Sequence, residues 1–112
     1  MSTEGISSTE FDGVHNQTEL VQYQSGSVVS RTLVKKPTGT VTVFAFDKGE
    51  GLSEHTAPFD ALVLIIEGEA EVTISGIAQR MRAGQILKLP AGHPHALKAI
   101  SRFKMMLVMI KA

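Results

Sequence analysis

The chain has 112 residues, eleven of them basic and eleven acidic, and no cysteine. Balanced charge with no basic block argues against nucleic acid and an anionic membrane surface as main partners. Without thiols there is no disulfide framework, thiolate metal site or cysteine nucleophile, so any metal has to be held by His, carboxylate, amide or water.

Residues 1–13 (MSTEGISSTEFDG) are polar and lack apolar periodicity, which predicts a flexible tail ahead of one domain over residues 14–112. They contain no apolar h-region, and no apolar run in the chain approaches a membrane span. The expectation is a soluble, cytoplasmic protein. Residues 15–23 fit a short helical turn and an edge strand equally, with His15 as a solvated side chain.

From there the chain reads as short β-branched runs separated by Gly and Pro. Residues 27–35 form the first strand, ended by the turn signal Lys36-Pro37-Thr38-Gly39. Residues 40–47 (TVTVFAFD) are apolar on both faces, so this strand is expected to be covered on both sides, one solution being a second subunit. Residues 52–57 form a short strand on which simple alternation puts Ser53, His55 and Ala57 on one face. Residues 61–66 form a buried strand, and Glu67-Gly68-Glu69 reads as a tight hairpin. Residues 70–75 follow, with Val72 and Ile74 inward and Glu71 and Thr73 outward. Residues 77–82, 85–89, 95–100 and 103–110 complete the set, the cluster Pro90-Ala91-Gly92-His93-Pro94 interrupting it because Pro cannot continue a ladder. About nine or ten strands at this spacing predict an all-β sandwich or barrel.

Polar chemistry converges in one place, residues 49–95, where His55 and His95 end separate strands. Gly49-x5-His55, then Gly68, then Gly84-x5-Pro90-x-Gly92-x2-His95 resemble the two motifs of the cupin superfamily, G-x5-H-x-H-x3-4-E-x6-G and G-x5-P-x-G-x2-H-x3-N. The resemblance spans about residues 40–111 and implies a small single-domain jelly-roll β-barrel whose interior holds a metal or a small ligand. Three family positions are altered: Ala57 stands for the second histidine, Ala61 for the glutamate and Ala99 for the asparagine.

Two of the four family metal ligands are therefore missing. The reading that follows is a binding module in which His55 and His95 anchor the polar end of a small organic molecule, while Ala57, Ala61, Val63 and Met105 line an apolar cavity. A metal-dependent enzyme of dioxygenase or isomerase type is the alternative, with His55, His95 and His93 as ligands to Fe, Mn, Ni or Zn. A third reading is an interaction or dimerisation unit with a filled interior. In each of them the remaining residues have ordinary roles: Gly49, Gly68, Gly84 and Gly92 as turns, the other methionines as core filler and Lys35, Lys36, Arg80 and Arg82 as solvated charges. A homodimer is expected from the two-sided strand and the apolar terminus over residues 103–110. No nucleophile with an adjacent base is evident, so no reaction is assigned.

Overall fold

The computed structural model describes residues 11–111. Nine strands are present among them, at the places where the β-branched runs lie: β1 (Val28–Lys36), β2 (Gly39–Phe46), β3 (Gly51–His55), β4 (Asp60–Glu67), β5 (Glu69–Ile74), β6 (Ile77–Arg82), β7 (Ile86–Leu89), β8 (His95–Ala99) and β9 (Phe103–Ile110). They form a five-stranded sheet, β1-β2-β9-β4-β7, and a four-stranded sheet, β3-β8-β5-β6. All pairings are antiparallel. The two sheets face one another as a jelly roll without being closed into a barrel by hydrogen bonds. No helix among the described residues is long and apolar enough to cross a membrane.

Alternation places one face of every strand in the space between the sheets. Phe44 and Phe46 on β2 pair with Met105 and Phe103 on β9, and Val63 and Ile65 on β4 extend the same inner face. From the other sheet come Ala70, Val72, Leu97 and Ala99. Phe46 and Phe103 lie fully buried, their rings stacked at 4.3 Å and 6°. Val72 is fully buried and Glu71 and Thr73 face outward, as alternation predicts.

The expected hairpin at Glu67-Gly68-Glu69 is instead a crossover. β4 pairs with β9 and β7 in one sheet, and β5 with β6 and β8 in the other, so the chain changes sheets at Gly68. A tight turn signal is the same for both; what differs is whether the flanking strands pair with each other, and neither strand's local pattern encodes that. The local hairpins are β1–β2 and β5–β6, the latter turning at Ser75-Gly76, where both residues take positive φ.

The outer side of β2 is covered in part by this chain itself. Leu20 and Val21, beside a short 3-10 turn at Gln17–Glu19, are buried with Val43, Ala45, Leu33 and Ile66 in a second apolar cluster. That segment resolves the ambiguity over residues 15–23 and replaces the second subunit over half of the two-sided strand. Polar groups lock it down. The Tyr23 hydroxyl donates to Glu67 at 2.6 Å, Arg31 donates to the Leu20 carbonyl at 3.0 Å, and Lys104, only 5% exposed, donates to the Thr18 carbonyl and lies under the Tyr23 ring. Burial and the Glu67 carboxylate push the Tyr23 phenol well above its ordinary pKa, keeping it a donor. Asp47 accepts from the Gly26 and Lys48 N–H groups and from Arg102, which hold its carboxyl at about 2. Residues 1–10, most of the expected tail, lie outside the described residues; Phe11 packs against the second cluster and stacks on the exposed His15.

Candidate functional site

β3 is an edge strand paired only with β8. Leu52 pairs with Leu97 and His55 with His95, three residues of advance on β3 against two on β8. The extra residue is a β-bulge, and its effect is to invert the alternation. Without it, Leu52 inward would put His55 outward. With it, Leu52 and His55 both follow inward-facing partners, and Ser53 turns outward. The expectation that Ser53 shares a face with His55 is therefore corrected: Ser53 lines a groove of about 380 Å³ on the outer face of the four-stranded sheet, with Gly51, Glu71, Thr73 and Lys98.

The bulge brings the two imidazoles edge to face, with centroids 4.3 Å apart and planes at 70°. His95 is buried and His55 exposed, so the pair sits at the mouth of the sandwich. His55 Nδ1 lies 2.9 Å from the Ser53 carbonyl and His95 Nδ1 lies 3.2 Å from the His93 carbonyl. A carbonyl can only accept, so both rings carry their proton on Nδ1. Both Nε2 atoms are then bare in the neutral state, and they face each other at 3.1 Å. Two lone pairs at that distance repel unless a proton, a ligand's donor or a cation lies between them.

Burial lowers the His95 pKa from its ordinary value; the bond to the His93 carbonyl opposes the shift, and the His55 ring adds to it. A base with a lowered folded-state pKa is protonated first in the unfolded chain. Stability is thus complete above the ordinary histidine value and declines as pH falls through it toward the folded value. The melting temperature is expected to drop between about pH 7.5 and about pH 5.5, with a shallower slope in His95→Gln. Equal slopes in the two proteins would place the acid sensitivity elsewhere.

The other candidates fall as follows. Ala57 is half-buried, and its carbonyl accepts from the Gly92 N–H at 2.8 Å, tying the β3–β4 loop to the Pro-rich turn. Ala61, Val63 and Met105 face the same interior but are packed in the main core, Val63 and Met105 fully. His93 is exposed on the turn, and its Nδ1 lies 3.2 Å from the Ser75 hydroxyl. Ser75 was not legible as its partner, because 18 residues separate them and the turn signal at Gly76 says nothing of what the turn touches.

Among the described residues no three His, Cys, Asp or Glu side chains gather as a metal-holding group. The donor set fits a metal in part. Two imidazole nitrogens 3.1 Å apart can share one divalent ion at its usual distance of about 2.0–2.1 Å, with the remaining positions left to water or ligand.

Residues 42–111 match the family model described as a cupin domain. The fold superposes on a conserved protein of unknown function from Streptococcus pyogenes with a TM-score of 0.86 and 40% identity, covering 90% of this chain and 89% of that one. A cupin 2 conserved barrel domain protein from Leptotrichia buccalis is 41% identical with a TM-score of 0.81; the match takes in 84% of this chain and 46% of that longer one. A cupin superfamily protein from Desulfitobacterium hafniense is 27% identical with a TM-score of 0.86, over 90% and 93% of the two chains. No curated protein matches the chain.

Proposed function

The chain belongs to the cupin superfamily, and from that premise we propose that it binds a small organic molecule at the mouth of the sandwich, held by His55 and His95. The observation that carries this reading is the approach of the two Nε2 atoms to 3.1 Å of each other at the mouth of the sandwich. A hydroxyl, acid or ammonium group supplies the missing donor and removes the repulsion. The two alanines, Ala57 and Ala61, keep the adjoining wall small and uncharged, so the rest of the ligand meets an apolar surface. Val63 and Met105 stay packed in the core behind that wall. The protein acts as a cytoplasmic homodimer in this reading, with neither nucleic acid nor membrane as partner.

The 3.1 Å spacing also favours a second reading, a divalent Fe, Mn, Ni or Zn ion held by His55 and His95. Such an ion supplies a Lewis acid that polarises an oxygen ligand. His55 and His95 would hold it through Nε2, each ring oriented by its bond to a backbone carbonyl. His93 lies on the neighbouring turn, and among the described residues no three such side chains gather as a metal-holding group.

Metal analysis and mass spectrometry of protein purified without chelators separate the two. Less than about 0.1 equivalent of transition metal, with a co-purifying organic molecule released on denaturation, is expected. Loss of one imidazole removes a partly buried hydrogen bond, so His55→Ala and His95→Ala should each weaken retention of that molecule by about tenfold or more. Stoichiometric metal would replace the first reading by the second, and unchanged retention in both variants would remove the histidine pair from the site altogether.

A further inference from the structure

Ser75 is the one residue other than glycine with a positive φ among the described residues, at φ 50. With Gly76 it makes the two-residue turn between β5 and β6, closed by the pairing of Ile74 with Ile77. Asn, Asp or Gly would make that turn with less strain, because an L side chain crowds the backbone in the left-handed region. What serine brings there is its hydroxyl, and strain kept for one side-chain group is a mark of binding and catalytic sites.

The Ser75 hydroxyl lies 3.2 Å from His93 Nδ1. Docking of the hairpin tip does not need that contact, since the Ser75 N–H already donates to the Pro94 carbonyl at 2.8 Å. His93 also serves His95: its carbonyl lies 3.2 Å from His95 Nδ1, while Ile74, the neighbour of Ser75, pairs with His95. Ser75 and His93 therefore stand at the same end of the sandwich as the histidine pair. The two residues of chain from His93 to His95 span at most about 7 Å.

The Ser75–His93 contact leaves one hydrogen over. If the hydroxyl donates to Nδ1, the His93 proton sits on Nε2, where none of the described residues accepts it; if Nδ1–H donates to the hydroxyl oxygen, the O–H is free. In either tautomer a donor remains, and both residues are exposed, so it can meet an acceptor that arrives from solvent. The His55–His95 pair asks for the opposite, a donor between its Nε2 atoms.

We infer that Ser75 and His93 form a second subsite of the mouth, and that the ligand is a short ω-hydroxy or ω-amino acid. Its hydroxyl or ammonium goes to His55 and His95, and its carboxylate to Ser75 and His93. A carboxylate suits the exposed subsite because it stays partly hydrated there. Three methylene groups between the ends, at about 1.5 Å per bond, set the ends about 6 Å apart, close to the reach between the subsites. This rests on the binding reading above and adds a second contact to it.

NMR titrations of the histidine rings with γ-hydroxybutyrate, γ-aminobutyrate, butyrate, butanol and butylamine test the second contact. At least one of the two γ-substituted acids is expected to bind about tenfold or more tightly than the three probes with a single polar end, as one added hydrogen bond to a charged group allows. Which of the two wins separates hydroxyl from ammonium. Ser75→Gly relieves the strain and keeps the turn, so it should melt no lower than wild type while the acid loses its advantage over butanol and butylamine. His93→Gln should lose that advantage too. An advantage that survives both substitutions, or acids that bind no better than butanol and butylamine, overturns the subsite and leaves the histidine pair, provided His55→Ala still weakens butanol or butylamine. If none of the five probes binds, both the subsite and the binding reading fall.

Discussion

Gly68→Ala is expected to lower stability by about 3–5 kcal/mol, or roughly 15–30 °C in melting temperature for a domain of this size. Gly68 has φ +80, and a Cβ there would lie 1.9 Å from the Arg102 carbonyl oxygen and 2.7 Å from the Phe103 Cα. These are backbone atoms at the start of β9, the strand in the middle of the five-stranded sheet, so they cannot rotate away as a side chain would. The control is Gly92→Ala. Gly92 has the same φ of +80 but nothing within 4 Å of its Cβ, so only the left-handed backbone penalty applies, about 1–2 kcal/mol. Denaturant melts of the two variants check this; a similar loss in both would mean that the crossover at Gly68 is not as close to β9 as described.

Phe103→Ala should lose about 3–5 kcal/mol as well, by a different route. Phe103 is fully buried and stacked on Phe46, so truncation removes the ring contacts and leaves a cavity that the rigid sandwich refills only in part. The double variant Gly68→Ala/Phe103→Ala separates the two causes. Alanine keeps its own Cβ, and the main obstacle is the Arg102 carbonyl, so removing the ring gives no relief at residue 68. The losses should add to about 6–10 kcal/mol, most of the stability of a domain in the middle of the usual range of about 5–15 kcal/mol. Recovery of more than about 1 kcal/mol in the double variant would show that the ring, not the backbone, resists the methyl group.

Some of this architecture is local and some is not. The strand runs, the Gly and Pro breaks and the inward Val72 were legible because alternation and turn chemistry act over two to six neighbouring residues. The second cupin motif was legible because its Gly84, Pro90, Gly92 and His95 keep a fixed spacing over the short stretch from the turn before β7 to the start of β8.

By itself, then, the amino-acid sequence determined the β class, the number and order of strands, and His55 and His95 as the polar pair to watch. Tertiary structure decided what those elements meet. Alternation would have turned His55 away from His95; the bulge between Leu52 and His55, defined only by pairing to β8, turns it back. The Glu67-Gly68-Glu69 turn became a change of sheet because β4 and β5 found partners far along the chain. Half of the two-sided β2 strand is covered by Leu20 and Val21 rather than by another molecule. Each of these outcomes depends on which distant backbone groups satisfy one another's hydrogen bonds and bury one another's apolar faces, and a residue's immediate neighbours carry no record of that choice.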